Sequence, residues 1–252
     1  MTRPRRAGSN GRGSSRSQGR FAGRLATSPV VAVGVDGYAK GWVAVALDQA
    51  GIFVRAWPAV SLDGLLAEVT PGTPVGIDMP LGGVDEGWRT ADLSAKAMLG
   101  RRGSTIFLVP PRPLWELTSY PEANAELRRR MNKGLSWQAH GLFRKMLEAE
   151  RARDTHELFE VHPELAFAEM AGEAVPPKQS WDGLARRRSL LTEVGVVLPD
   201  HLGSAGAVPP DDVLDAAAVA WCAYRLARGG ARHVPDPPDQ YDGQGRPIVI
   251  WF

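Results

Sequence analysis

The sequence predicts an α/β fold whose strands share one sheet, and three features carry this prediction. Apolar segments with strand character come first, in the order β-β-β-α-β. A stretch rich in helix signals follows, from residue 80 to about residue 153. Aspartates stand at the ends of the first and fourth strand segments and at the start of the final helix. A folded protein buries a carboxylate only when it is paired, hydrogen-bonded or bound to a cation, so these positions also mark a candidate site.

Four strands and one short helix are predicted within residues 30–79. The strands are Val30–Val35, Trp42–Leu47, Ile52–Trp57 and Val75–Met79. The segment Asp36–Gly41 is typical of a turn, so the first three strands form a meander whose first strand ends at an aspartate. Ser61 is a favourable N-cap for a helix with Leu62, Leu65 and Leu66 on one face. A Pro-Gly-Thr-Pro segment ends that helix.

The remaining predicted elements are mostly helical. Helices are expected over Ala91–Leu99, Tyr120–Met131, Ser136–Arg153 and Leu184–Val194. Short strands are expected over Phe159–His162 and Pro247–Phe252. Residues 199–210 are rich in Gly, Pro and Ala and are predicted to be a linker. Asp211 or Asp212 is then expected to cap a strong helix that runs to about Arg228, where two glycines stop it.

The net charge of +2 hides an uneven distribution of charged residues. Residues 1–29 contain seven arginines and no acidic residue, whereas 23 basic residues face 28 acidic ones in the rest of the chain. The basic character therefore belongs to the N-terminal segment, and it gives no evidence that the folded body binds nucleic acid. Residues 1–28 are rich in Arg, Ser and Gly and are predicted to be a disordered tail. An electrostatic arm that holds nucleic acid is the alternative.

The chain contains one cysteine, Cys222, within the apolar pattern of the final helix. A single cysteine excludes an intramolecular disulfide and gives no support to a thiolate zinc site, so we expect a buried apolar role. No apolar run approaches the roughly 20 residues that cross a bilayer. The N-terminal segment also lacks the apolar core of a signal peptide. These features predict a soluble cytoplasmic protein with no membrane partner.

Five short motifs follow one another along the chain. They are GVDGYAKGW (34–42), GIDMPLG (76–82), GRRGSTIF with PPR (100–112), EVHPELAF (160–167) and DDVLDAAAVAWCA (211–223). From about residue 31 to the C-terminus they resemble the domain of unknown function 429 family, whose members are predicted ribonuclease-H-like nucleases. The resemblance implies a mixed five-stranded sheet with flanking helices. It also implies a single domain over residues 29–252, with a helical insertion at about 83–156.

The resemblance assigns the aspartates to one metal site. In the ribonuclease-H-like fold, acids end the central first strand and the adjacent fourth strand, and one or two more come from the C-terminal helix. Asp36, Asp78 and the pair Asp212 and Asp215 fill these places, and the Asp-x-x-Asp spacing is similar to that of Holliday-junction resolvases. We expect two Mg²⁺ or Mn²⁺ ions roughly 4 Å apart, because hard cations prefer carboxylate oxygens. Asp36 would bridge the ions, Asp78 would hold the ion on the nucleophile side, and the helix pair would complete the shell.

Ordinary explanations exist for some of these acids. Asp36 precedes a glycine, as turn aspartates do, and Asp212 is also suited to be a helix N-cap. Asp215 is harder to explain as a cap, because it lies one turn inside the helix.

Glu160 and His162 are candidates to extend the acidic site. They alternate with Glu164, so a continuing strand would point all three to one side, with His162 as a proton shuttle. In the alternative, Pro163 ends the strand and Glu164 starts the next helix.

Five further residues are candidates for contacts with substrate phosphate, because guanidinium and ammonium groups bind phosphate oxygens. They are Arg101, Arg102, Ser104, Arg112 and Lys145. For Lys145, a solvated basic surface is an equally good explanation.

Three functions remain open from the sequence. The first is a metal-dependent nuclease that hydrolyses phosphodiester bonds of DNA or RNA. The second is a nucleotide-hydrolysing relative of the actin and sugar-kinase fold, although residues 83–252 show no second meander. The third is a non-catalytic nucleic-acid adaptor on the same fold. The four aspartates favour the nuclease, since buried carboxylates without partners are costly unless something uses them.

Overall fold

The computed structural model describes Met1 and residues 29–252, and a mixed five-stranded sheet forms their centre. The strands are β1 (Val30–Tyr38), β2 (Gly41–Asp48), β3 (Phe53–Ala59), β4 (Val75–Ile77) and β5 (Leu158–Glu160). They lie in the order β3-β2-β1-β4-β5. The first three form an antiparallel meander, whereas β4 pairs with β1, and β5 with β4, in parallel. The predicted α/β class with a mixed five-stranded sheet is confirmed, and the arrangement is consistent with the ribonuclease-H-like fold.

Helices and a small second sheet complete the described fold. The helices are α1 (Leu62–Leu66), α2 (Thr90–Leu99), α3 (Tyr120–Met131), α4 (Trp137–Ala152), α5 (Pro163–Ala171), α6 (Trp181–Glu193) and α7 (Pro210–Ala227). Short 3₁₀ turns lie at Gly100–Thr105, Arg112–Glu116 and Gly203–Ala207. The second sheet pairs β6 (His233–Val234) with β7 (Ile250–Trp251). Ser61 caps α1 as predicted, because its side chain accepts a hydrogen bond from the Gly64 N–H. The helices α2, α3 and α4 all lie between β4 and β5 in the chain.

The strand β1 extends two residues past Asp36, so the predicted strand end at this aspartate is wrong. Its ladder with β2 continues through Asp36 and closes at Tyr38 and Gly41. Gly41 adopts a φ of 145°, a conformation that residues with a side chain rarely adopt. The turn between β1 and β2 therefore consists of two residues, Ala39 and Lys40. Asp36 therefore belongs to a fixed strand rather than to a turn.

Helices cover both faces of the sheet, as expected of a layered α/β fold. The alternation along β2 shows the two layers. Ala44 and Ala46 belong to the apolar cluster that includes α1, α3 and α4. Val43, Val45 and Leu47 belong to the cluster that includes α5, α6 and α7.

The helix α7 lies directly against β1. A Cβ atom on Gly34 would lie 2.0 Å from the backbone nitrogen of Ala220 and 2.2 Å from the carbonyl oxygen of Ala216. Only glycine allows this close approach. Because side chains alternate along a strand, Gly34 and Asp36 face α7, whereas Val35 faces the opposite layer. The strand thus points Asp36 towards the N-terminal half of α7.

The start of α7 differs from the prediction. The helix begins at Pro210, with no side-chain cap, so the predicted capping role of Asp211 or Asp212 is wrong. Proline is favoured at the first helical position because its missing N–H has no intrahelical partner there. Asp211 and Asp212 lie in the first turn, where the helix dipole favours carboxylates. The predicted glycine stop is confirmed, since Gly229 follows the helix with a φ of 70°.

The Arg-rich segment that is predicted to be disordered, residues 1–28, lies outside the described residues except for Met1. Within the described part of the chain, no helix combines the length and the apolar character that a bilayer crossing needs. The boundary of the segment and the assignment of residues 29–252 to one domain stay predictions.

Candidate active site

Two of the predicted aspartates meet because their strands are parallel neighbours. Val35 of β1 is level with Ile77 of β4. The residues that follow them, Asp36 and Asp78, therefore lie side by side at one end of the sheet. The N–H of Asp78 donates to the carbonyl oxygen of Val35 at 2.8 Å, which fixes Asp78 although β4 has ended. The Asp36 side chain is fixed too, since its Oδ1 accepts from the Gly37 N–H at 2.6 Å.

A third carboxylate comes from α7. Asp215 is followed by Ala216, whose carbonyl oxygen would lie 2.2 Å from a Cβ atom on Gly34. Asp215 therefore lies near the same end of β1 as Asp36. Its side chain is buried. Asp36, Asp78 and Asp215 each offer one carboxylate oxygen, and these oxygens lie within 4.8 Å of one another. Opposite ligands of a magnesium ion are about 4.2 Å apart, so small side-chain movements let all three bind one cation.

Asp212 lies close to these three carboxylates but outside their group. It is half-buried and lines a cavity of about 240 Å³ together with Asp36 and Asp78. Three of the four predicted metal ligands therefore come within reach of one ion, and the fourth faces the same space.

Burial opposes the negative charge of the clustered carboxylates. Burial, followed by repulsion from Asp215, raises the pKa of Asp78 to about 8. Burial also raises the pKa of Asp215 to about 6, although Lys178 nearby favours its charged form. Burial and then the neighbouring Asp78 raise the pKa of Asp36 well above its ordinary value. Like charges that share a buried site show such shifts, and a divalent cation would reverse them.

One buried carboxylate oxygen of the cluster has no hydrogen-bond partner among the described residues. Among residues 29–252, no hydrogen-bond donor reaches the buried Oδ1 of Asp215, whereas its Oδ2 accepts from Lys178 at 2.6 Å. A buried acceptor without a partner costs about 1–3 kcal/mol, and more when it is charged. A divalent cation shared with Asp36 and Asp78 would supply the missing partner. The set of donors therefore fits Mg²⁺ or Mn²⁺.

In the presence of a metal chelator, the wild-type protein should lose stability relative to the Asp78→Asn variant as pH rises. The pKa of Asp78 is raised from 3.8 to about 8 on folding, so the folded state binds its proton more tightly than the unfolded state. Stability is then lost as pH rises through that window, and the asparagine variant lacks this loss because it cannot ionise. Thermal unfolding of both proteins across the window measures the difference. The exposed Asp63→Asn should follow the wild type, and a difference that shrinks with rising pH would contradict the assignment.

A comparison with protein families agrees with the motifs in the sequence. Residues 34–240 match the family model described as Protein of unknown function (DUF429). The chain belongs to this family. The match spans the whole acidic site of this DUF429 protein, from Asp36 to Asp215. The chain has no match among curated proteins and none among solved structures.

Glu160 of this DUF429 protein is the partner of a buried arginine. Both of its carboxylate oxygens bind the guanidinium of Arg89, and its Oε2 also accepts from the Leu81 N–H at 2.7 Å. Arg89 also binds Asp92 at 2.7 Å, and all three charged side chains are buried. Glu160 lines the same cavity as Asp36, with its oxygens engaged in this ion pair.

His162 begins the helix α5 instead of extending β5. Its Nδ1 accepts from the Glu164 N–H at 3.2 Å, which caps a helix that starts at Pro163. The alternative in which Pro163 ends the strand and Glu164 starts a helix is confirmed. Burial lowers the pKa of His162 to about 4, which keeps the ring neutral at neutral pH. His162 lines the cavity of about 240 Å³ and also a second cavity, of about 300 Å³, that contains Asp78 and Asp215.

Two of the predicted phosphate-binding residues lie beside the acidic cluster. Arg102 lines the second cavity and pairs with Glu164 at 3.4 Å. The ammonium of Lys145 donates to the carbonyl oxygen of Gly41 and lies 4.1 Å from the centre of the Trp42 ring. Arg102 shares its cavity with Asp78 and Asp215, and the Lys145 ammonium would lie 3.0 Å from a Cβ atom on Gly37, the residue after Asp36. Both cations are therefore close enough to the acidic cluster to offset the charge of a bound phosphate.

The other three predicted phosphate contacts lie elsewhere. Arg101 and Ser104 are exposed and line neither of the two cavities. Arg112 forms ion pairs with Glu116 at 3.0 Å and with Glu150 at 2.7 Å. The Arg112 side chain therefore joins the 3₁₀ turn that carries it to α4.

Lys178 lies in the site but is not among the residues predicted from the sequence. It lies in an irregular segment between α5 and α6 and lines both cavities. Burial opposes its charge, but Asp215 and then Asp36 outweigh burial and raise the pKa of Lys178 above its ordinary value. The segment has no periodicity that would indicate where its side chains point, so the sequence holds no signal for this residue.

The single cysteine is buried, as predicted. Cys222 packs against Val161 and Val219, and burial raises the pKa of its thiol to about 12. A thiol with so high a pKa is unreactive at neutral pH.

Proposed function

We propose that this protein is a divalent-metal-dependent nuclease that hydrolyses phosphodiester bonds of nucleic acid. Two observations together carry the proposal: Asp36, Asp78 and Asp215 each bring one carboxylate oxygen within 4.8 Å of the others, and the buried Oδ1 of Asp215 has no hydrogen-bond partner among the described residues. Phosphodiester hydrolysis requires relief of the charge that builds on the phosphoryl and leaving oxygens, and carboxylate-held cations supply it.

The residues of the site have separate roles in this proposal. A bound Mg²⁺ or Mn²⁺ would polarise the phosphoryl oxygen and activate a water molecule. Asp36, Asp78 and Asp215 would hold the cation, and their backbone positions are fixed by the sheet and by α7. Asp212 faces the cavity. Burial, followed by repulsion from Asp211, raises the pKa of Asp212. A carboxylate with a raised pKa is a stronger base, so Asp212 is suited to accept a proton. Arg102 and the lysines nearby offset the charge of the phosphate, which the acidic body would otherwise repel.

The architecture favours a nuclease over a nucleotide-hydrolysing enzyme of the actin and sugar-kinase type. Those enzymes duplicate the core of meander, helix and parallel strand. Residues 29–252 contain one three-stranded meander, followed by helices and short strands.

A cleavage screen tests the proposal. The protein is incubated with single-stranded and duplex DNA, single-stranded and duplex RNA, an RNA–DNA hybrid and a four-way DNA junction. Each substrate is tested in Mn²⁺, in Mg²⁺ and in chelator. We expect metal-dependent cleavage of at least one substrate and none in chelator. Binding without cleavage under every condition would instead support the non-catalytic adaptor.

A further inference from the structure

Lys178 enters the acidic cluster directly. Its Nζ lies 2.6 Å from Oδ2 of Asp215 and 3.6 Å from Oδ2 of Asp211. It also lines the cavity that contains Asp36 and Asp78. An ammonium group in this position is a fixed positive charge within the set of carboxylates that would hold a metal.

Hydrogen bonds from Arg187 and Ser180 fix the segment that carries Lys178. The buried guanidinium of Arg187 donates to the carbonyl oxygen of Pro176 at 2.7 Å and to Oε1 of Glu164 at 2.6 Å. The N-cap of α6, Ser180, donates from its hydroxyl to the carbonyl oxygen of Pro177 at 2.7 Å. These contacts hold the backbone on both sides of Lys178 in place.

A close contact also closes the segment onto α6. A Cβ atom on Gly183 would lie 1.9 Å from the carbonyl oxygen of Pro177, a distance that no side chain permits. The start of α6 and the residue before Lys178 are therefore in direct backbone contact. A lysine delivered by such a segment differs from an ordinary surface lysine, whose long side chain moves freely.

One of the two carboxylate oxygens of Asp215 has a hydrogen-bond partner among the described residues, and the other has none. Its Oδ2 binds Lys178, while the buried Oδ1 has no donor among the described residues. The three carboxylates that lie within ligand distance of one another, Asp36, Asp78 and Asp215, suffice to hold one ion. Asp212 lies outside that group.

The positions of the groups, rather than their total charge, distinguish one ion from two. With Lys178 and four carboxylates, Asp212 included, one divalent cation leaves the set one charge negative and two leave it one charge positive. A second ion would need carboxylate oxygens beyond those that Asp36, Asp78 and Asp215 bring together, and the Lys178 ammonium already lies 2.6 Å from Oδ2 of Asp215. A second cation that took this oxygen as a ligand would have to displace the ammonium, because two positive charges at such a distance repel each other strongly in a partly buried site.

We propose that the site takes a single divalent cation on Asp36, Asp78 and Asp215, and that the Lys178 ammonium occupies the place of a second cation. This inference rests on the proposed nuclease function, and it replaces the two ions expected from the sequence. Lys178 keeps an N–H free to contact a phosphoryl oxygen while another holds Asp215. It lines the cavity of about 300 Å³ together with Asp78, Asp215 and Arg102.

Counting bound Mn²⁺ tests the inference without a substrate. Isothermal titration gives the number of ions per chain, and electron paramagnetic resonance distinguishes an isolated Mn²⁺ from an exchange-coupled pair. We expect the wild type to bind one ion with an isolated-ion spectrum. Lys178→Met, which keeps the apolar stem and removes the charge, should bind a second ion and show coupling. Lys178→Arg and the exposed Lys133→Met are the matched controls and should bind one ion.

The outcomes separate this inference from the proposed function. A wild type that binds two ions overturns the role of Lys178 but leaves the nuclease proposal intact. A Lys178→Met variant that is folded by circular dichroism and still binds one ion with wild-type affinity also overturns it. If ion counts follow expectation but the cleavage screen is blank, the nuclease proposal fails while the one-ion site stands. If no variant binds an ion, both fail.

Discussion

Replacing Asp36 with Asn is expected to lower metal-dependent cleavage by roughly a thousandfold while the fold persists. Asp36 is one of three carboxylates that reach a single cation position. A bound metal contributes several kcal/mol to the transition state, and about 4 kcal/mol corresponds to that factor. The fold should persist because an asparagine oxygen can still accept the Gly37 N–H bond. The change also removes a charge that burial disfavours.

The measurement is the initial cleavage rate on the best substrate of the screen, with circular dichroism and thermal unfolding as checks of the fold. The conservative change Asp63→Asn is the matched control, since that aspartate is exposed on α1 and should leave the rate unchanged. A folded Asp36→Asn protein that cleaves at nearly the wild-type rate would remove Asp36 from the site. Loss of cleavage in both variants would point to a general defect instead.

The sequence predicts the sheet well because the signals for strands are local. Apolar runs bounded by turn residues predict the meander and β4, although β4 ends at Ile77, two residues before the predicted end. The extent of β1 past Asp36 could not be predicted in this way. It depends on the ladder with β2 and on the backbone conformation at Gly41, which are properties of the folded hairpin.

The partners of charged residues are the part of the site that the sequence leaves undetermined. Arg89 and Glu160 are 71 positions apart, and Lys178 and Asp215 are 37 apart. No periodic pattern relates residues at such separations. Residue type alone also does not show the partner of Arg112, a predicted phosphate contact that pairs with Glu150 in the fold.

Replacing Arg89 with Met is expected to lower the free energy of unfolding by about 3–5 kcal/mol, the range typical of breaking a buried ion pair. The change would leave Glu160 and Asp92 buried without their cation. Denaturant unfolding at neutral pH measures the loss. Arg144→Met, at an exposed position of α4, is the matched control and should be close to neutral. A loss below about 1 kcal/mol, the level of an exposed pair, would contradict the buried network.

The same ion pair determines what a change at Glu160 should do to metal binding. If Glu160 serves Arg89, then Glu160→Gln should lower the free energy of unfolding and keep Mn²⁺ affinity near the wild-type value. The three carboxylates within ligand distance of one another do not include Glu160, and its oxygens already bind Arg89 and the Leu81 N–H. Titration of the folded variant with Mn²⁺ decides the matter. A large loss of affinity would assign Glu160 to the metal shell, and Arg89 would then be the group that positions a ligand.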